Sequence, residues 1–312
     1  MIKTALMFAG QGAQSVGMGR DLAEAFPSAR AWFERANEAL GYDLTRVCFE
    51  GPDADLTRTE NAQPGIYLVG WVAWSLLQER LPDLGFEAAA GLSLGEFTAL
   101  SAAGVLGFED GLRVTRARGR FMQDACEATR GGMAAILNLD EAVTREICEA
   151  TGVELANLNC PGQLVISGPE AGLAAACDQA RARGARRAVP LPVAGAYHSR
   201  LMAGAQPRLA GELAGLELQP SSVPVVSNVT ARPHGDPQSI RDVLVRQVCA
   251  PVRWEESIRW LGDQGFTRFI ELGPGKALSG FLKRILPEAE CLRVSDVPSL
   301  EATVAACSAP AS

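Results

Sequence analysis

Gly91-Leu92-Ser93-Leu94-Gly95 is a G-x-S-x-G arrangement that runs into Glu96–Ala103, a stretch able to form a helix. In a nucleophile elbow the serine sits on a sharp strand-to-helix turn. The glycines leave room for the backbone, and the N–H groups at the helix start face a developing oxyanion. Taken alone, five residues fit equally well a Gly-flanked turn with an ordinary serine. A reactive serine needs a proton acceptor, and the chain has only two histidines. His234, in Arg232-Pro233-His234-Gly235-Asp236-Pro237, reads as an exposed residue of a turn-rich surface loop. His198 follows the Val189–Ala196 run of Pro and small residues and precedes Ser199, a candidate N-cap. That puts its imidazole at the end of an element in apolar surroundings, as a base or as a satisfied buried histidine.

A third group stands out by periodicity. At ~100° per residue, Arg113, Arg116 and Arg120 of the Glu109–Ala128 segment fall within about 60° of one another, as a solvated face does. Arg118 falls instead among Val114, Phe121, Met122 and Ala125. An inward guanidinium stays charged and needs a partner, and its planar fork suits a carboxylate. The carboxylate belongs either to an internal Asp or Glu or to a substrate. Gly10-Gln11-Gly12 resembles the opening of a dinucleotide fingerprint, but Ser15 occupies the place of the third glycine. Beside a serine nucleophile, the Gln11 N–H in this loop is a second candidate oxyanion donor.

These groups must be positioned by a framework, and 312 residues suffice for one large domain or a domain carrying an insertion. Hydrophobic residues at 47% and charged residues at 21% are ordinary globular usage, which excludes a disordered or fibrous chain. The net charge of −7 argues against a general nucleic-acid binder. Pro64–Leu77, the least polar stretch at about 14 residues, is shorter than the roughly 20 of a membrane span and reads as a core helix. The N-terminal segment lacks a secretory pattern, so a cytoplasmic location is expected. Eight scattered cysteines without C-x-x-C spacing read as reduced thiols, and with two histidines no metal site is expected.

Ile2–Phe8, Val223–Val229 and Phe266–Leu272 read as buried strands, and Pro64–Gln78 and Glu109–Ala128 as helices. Phe86–Ala90, ahead of the elbow, is Ala-rich and a poor strand by propensity. Between them the pattern is strand 132–139, helix 140–151, strand 153–158, turn 160–163, strand 164–167, helix 170–184, strand 185–191. That order is βαββαβ, a ferredoxin-like arrangement. The expected architecture is α/β: a discontinuous large domain of residues 1–128 and 195–296, an inserted small domain at 129–194, and a loosely held Ala/Ser/Pro-rich tail at 297–312.

Several markers occur together in order: Phe8–Gln14, the Gly91–Gly95 elbow continuing into Glu96, Arg118–Gln123, Asn159-Cys160-Pro161-Gly162-Gln163, Gly195-Ala196-Tyr197-His198-Ser199, Gln247 with Pro251–Trp254, and Glu271–Gly275. On these the chain resembles the malonyl-CoA:acyl carrier protein transacylases and the related acyltransferase domains of fatty-acid and polyketide synthases. The resemblance implies an α/β-hydrolase-like large domain with a ferredoxin-like small one. It also implies malonyl transfer from malonyl-CoA to an acyl carrier protein, without a cofactor; a monomer is expected. Carried over by position, Ser93 is the nucleophile, His198 the base and Arg118 the clamp for the malonyl carboxylate. The N–H groups of Gln11 and Leu94 form the oxyanion hole, the Gln247 carbonyl orients the histidine, and Gln63 and Asn159 line the site. Leu92 stands where many members have His, and Tyr197 where malonyl-selective members have Phe. Lys276, Lys283 and Arg284, or Arg181, Arg183, Arg186 and Arg187, are basic groups that could receive an acidic carrier.

Overall fold

The computed structural model describes residues 2–221 and 223–308. In chain order its strands are β1 (Lys3–Phe8), β2 (Ala88–Gly91), β3 (Gly131–Leu137), β4 (Glu154–Cys160), β5 (Gln163–Pro169), β6 (Arg187–Pro190), β7 (Val225–Val226), β8 (Phe266–Leu272) and β9 (Glu290–Val294). They form two sheets. Five strands in the order β7-β2-β1-β8-β9 pair in parallel throughout. Four in the order β4-β5-β3-β6 pair antiparallel.

The parallel sheet is buried on both faces, which explains why β1 and β8 read as continuous apolar runs. Alternate residues serve opposite cores. Leu6, Phe8, Ala89, Ile270 and Leu272 join the cluster that contains the Thr59–Arg80 and Phe108–Ala128 helices. Ala5, Met7, Ala88, Ala90 and Phe269 join the cluster around Trp254 and Ile258. The Ala-rich β2 is a central strand despite its composition. All four of its residues are buried, and residues this small let helices approach the sheet closely, so packing overrides propensity.

Between β2 and β7 the chain leaves this sheet to build the antiparallel one. The Glu141–Thr151 and Glu170–Ala182 helices alternate with β3–β6 in the order β-α-β-β-α-β. Asp140, whose side chain accepts from the Ala142 N–H at 2.8 Å, caps the first of them.

Three expectations change. The helix assigned to Pro64–Gln78 begins a turn earlier, at Thr59, because a proline near the first turn removes only one helix hydrogen bond. The Val223–Val229 strand is reduced to Val225–Val226. Beyond it Asn228 turns away to donate its N–H to Glu96, and its carbonyl accepts from the Arg253 N–H. The tail is not loose over 297–308: Val297–Ser308 is a helix, with Leu300 fully buried and Arg80 Nη2 donating to Glu301 at 2.8 Å. Residues 309–312 lie outside the described residues. The Ala content that reads as a loosely held tail is also strong helix propensity, and Leu300 and Thr303 give that helix a face to bury. Among the described residues no helix is long and apolar enough to cross a membrane.

Candidate active site

The site lies at the carboxyl ends of β1 and β2, where ligands of open parallel sheets bind. β2 ends at Gly91, and the helix Gly95–Ala102 starts three residues beyond Leu92. A Cβ on Gly91 would fall 1.9 Å from the backbone of Gly95, and one on Gly95 would fall 2.2 Å from the Phe8 carbonyl oxygen. Glycine at both positions is therefore a steric requirement of so tight a turn. Ser93, between them, is held at φ 54°, a left-handed conformation that a non-glycine residue adopts only under constraint. Part of that constraint is Asn228. Its Oδ1 accepts the Ser93 N–H at 2.6 Å, and its Nδ2 donates to the Gly91 carbonyl at 2.7 Å.

His198 arrives from the segment after β6, also at positive φ (58°), just before Ser199 caps the short turn of 3-10 helix Arg200–Ala205. Its Nε2 lies 2.8 Å from Ser93 Oγ. Its Nδ1 donates to the carbonyls of Gln247 at 2.9 Å and Ala250 at 3.2 Å, a pairing that assigns the free lone pair to Nε2. No carboxylate takes the place of those carbonyls. Burial, and after it the charge of Arg118, push the imidazole down to about 4, so near neutral pH it stands uncharged and able to accept a proton.

Arg118 is only 1% exposed, whereas Arg113 and Arg120 on the same helix face solvent. Its Nη1 donates to Gln63 Oε1 at 2.7 Å. Its Nη2 donates to Gln247 Oε1 at 2.9 Å and to Ser93 Oγ at 3.1 Å. Its Nε is buried without a partner among the described residues. No Asp or Glu touches the guanidinium, so the internal ion pair entertained from the sequence is not what holds it. Burial lowers its pKa to about 10, a cost partly offset by the negative charge of Glu96.

Gln11 follows β1, its side chain donating to Tyr197 Oη at 3.3 Å and accepting from Gln63 at 3.3 Å. Among the described residues, the backbone N–H groups of Gln11 and Leu94 make no hydrogen bond within the chain and remain free to donate. The Tyr197 hydroxyl is 2.7 Å from Thr59 Oγ1. Ser93, His198, Arg118, Gln63, Gln247 and Gln11 are thus joined by direct hydrogen bonds, with Leu94 adjoining Ser93. Asn159 is not: it is buried near the end of β4, and its Oδ1 has no partner among the described residues.

His234 departs from its reading as an exposed loop residue. Its side chain is 4% exposed and its Nε2 is 2.6 Å from Glu96 Oε1, because the turn folds back onto β7 through the His234 N–H and the Val225 carbonyl. The sequence reading also gave no role to Glu96 or Asn228. Each had a signal: an acid directly after the elbow at the start of a mostly apolar helix, and a polar Ser227-Asn228 pair closing an apolar run.

The Acyl transferase domain family matches residues 6–303. The chain belongs to this acyltransferase family. It is 42% identical to the malonyl CoA-acyl carrier protein transacylase of Bacillus subtilis over 97% of each chain. It is also 44% identical to the polyketide biosynthesis protein ThaF of Burkholderia thailandensis, over 91% of this chain and 24% of that much longer one. Among solved structures, a malonyl-transacylase in complex with a type II PKS acyl-carrier protein superposes with a TM-score of 0.94 at 37% identity, covering 97% of this chain and 99% of that one. The elbow, the imidazole and the buried guanidinium of this acyltransferase therefore sit in a fold shared with those proteins.

Proposed function

We propose that this acyltransferase moves a malonyl group from malonyl-CoA to the phosphopantetheine thiol of an acyl carrier protein through an ester on Ser93. The observation that carries the reading is a buried guanidinium with no carboxylate of its own, 3.1 Å from the hydroxyl that would bear the acyl group. In malonyl the carboxylate is separated from the ester carbonyl by a single methylene. An acyl group on Ser93 would therefore bring its carboxylate to the Arg118 fork in place of a protein acid.

His198 Nε2 takes the Ser93 proton as Oγ attacks the thioester carbon. The oxyanion rests on the N–H groups of Gln11 and Leu94, and the coenzyme A thiolate leaves with the proton from His198. A carrier thiol then attacks the ester in the reverse sense and regenerates Ser93. The Gln247 and Ala250 carbonyls keep Nδ1 protonated through both halves, which makes the base a dyad. Gln63 holds the guanidinium from the other side, and Asn159, buried near the end of β4, lines the wall of the site.

The same reading takes residues 1–128 and 195–296 as an α/β-hydrolase-like catalytic unit, onto which the 297–308 helix packs, and 129–194 as a ferredoxin-like insertion. The enzyme acts as a cytoplasmic monomer. The acidic carrier docks on a basic face, either that of Lys276, Lys283 and Arg284 or that of the small domain, where Arg181 and Arg183 are paired with Asp178 and Glu146 and Arg186 and Arg187 add further charge. Intact-protein mass after incubation with malonyl-CoA, methylmalonyl-CoA or acetyl-CoA, and again after adding holo carrier protein, tests the proposal. A malonyl adduct absent from Ser93→Ala and passed to the carrier is expected. An adduct that decays only to free acid would make the protein a hydrolase.

A further inference from the structure

Glu96 is fully buried in the first turn of the elbow helix and makes no hydrogen bond to the Ser93 or His198 side chains. Three donors converge on it: Gln247 Nε2 at 2.7 Å and the Asn228 N–H at 3.0 Å on Oε2, and His234 Nε2 at 2.6 Å on Oε1. An ionised carboxylate only accepts, so each group that faces it must present a donor. For a glutamine amide, which has one donor end and one acceptor end, that requirement decides its orientation. The NH2 of Gln247 points to Glu96 and to the Ser93 carbonyl at 2.9 Å, and its Oε1 is thereby left facing Arg118 Nη2 at 2.9 Å. A flipped amide would set its NH2 against the guanidinium, which only donates, while turning its oxygen onto the Glu96 carboxylate and the Ser93 carbonyl, which only accept.

We infer that Glu96 is a positioning residue for carboxylate recognition, fixing the Gln247 amide so that its carbonyl holds the Arg118 guanidinium beside Ser93. The inference rests on the proposed malonyl transfer. Glu96 acts on substrate through two side chains, and also steadies the elbow, because Asn228, whose N–H it accepts, holds both the Ser93 N–H and the Gly91 carbonyl. Its negative charge further supports the charged form of Arg118 against burial.

A role confined to folding would lower the amount of active enzyme and leave selectivity untouched. The readout is therefore the ratio of malonyl to acetyl kcat/KM, which does not depend on how much of a preparation is folded. Glu96→Leu removes the acceptor at similar volume and is expected to lower that ratio by about tenfold or more, as the loss of a hydrogen bond to a charged group does. Glu96→Gln still offers a carbonyl to Gln247, with His234 accepting from the new amide by moving its proton to Nδ1. It is expected to keep the ratio at the parent value within about 1.5-fold. Glu96→Asp, the milder change, retains the charge but shortens the reach, and should lower the ratio about threefold. A parent-like ratio in Glu96→Leu or Glu96→Asp, or a Glu96→Gln ratio as low as that of Glu96→Leu, would overturn the inference. If the parent enzyme forms no malonyl adduct at Ser93, the proposed function fails instead.

Discussion

The Arg118 guanidinium donates to the Ser93 hydroxyl across 3.1 Å, so the charge that recognises substrate and the atom that attacks it are in direct contact before any substrate arrives. That proximity limits how far an acyl carboxylate can stand from the ester, and it couples recognition to reactivity.

Replacing Arg118 with alanine should therefore lower malonyl kcat/KM roughly 10–100-fold more than acetyl kcat/KM, the worth of a charge-assisted hydrogen bond in a dry site. Lysine should restore little of it, having no fork to share among Gln63, Gln247 and a carboxylate. Steady-state kinetics with both thioesters measure the difference; equal losses would remove Arg118 from recognition.

The pH dependence follows from His198. Its folded pKa is lowered to about 4, so the base form persists across neutral pH and is lost only as the pH falls through that value. The single-turnover rate of Ser93 acylation should be flat from about pH 8 to pH 5 and drop below about pH 4. The same depression favours the unfolded chain in acid: the unfolded imidazole takes up its proton near pH 6.5, so the contribution to stability shrinks as the pH falls from about 6.5 to 4. A half-loss of acylation near pH 6.5 would contradict the burial of this group.

Asn228 satisfies one donor and one acceptor of the strained elbow. Asn228→Ala should cost about 1–3 kcal/mol in urea unfolding, because both buried groups lose their partner. Acylation should fall more steeply than stability, since Ser93 at φ 54° is then less constrained. An acylation rate at the parent value would show that the elbow holds its shape without Asn228.

Tyr197 uses its hydroxyl to bridge Thr59 and Gln11. Tyr197→Phe should destabilise the protein by about 0.5–1.5 kcal/mol. By removing one of the hydrogen bonds that hold the Gln11 side chain, it should also change the ratio of malonyl to methylmalonyl turnover. Competition between the two thioesters, followed by mass of the Ser93 adduct, provides the check; an unchanged ratio would confine Tyr197 to a structural role.

The docked C-terminal helix gives a test remote from the site. Leu300 is fully buried, and Leu300→Ala should cost about 2–5 kcal/mol, where a loose tail would cost nothing. Denaturant melts of the two proteins distinguish these outcomes.

The sequence by itself determined the residues that carry their own local geometry. Gly91 and Gly95 mark the elbow because no other residue fits a turn whose Cβ positions are already occupied by backbone. The helical period turns Arg118 inward because 3.6 residues per turn decide its face before any partner is known. The β-α-β-β-α-β order of 131–190 was legible for the same reason, as alternation and turn residues are short-range signals. Only the tertiary structure decided what depends on distant segments meeting. Nothing local to β2 announces a central strand, since its four small buried residues form one only between β1 and β7. His234 reads as exposed until the turn folds onto Glu96, 138 residues away in sequence. The Ala-rich C-terminal segment reads as loose until Leu300 finds a buried place and Arg80 pairs with Glu301, 221 residues apart. The orientation of the Gln247 amide has no sequence signal at all: its two ends differ only in which partners the fold brings to them, and a buried carboxylate on one side and a guanidinium on the other leave a single satisfied arrangement.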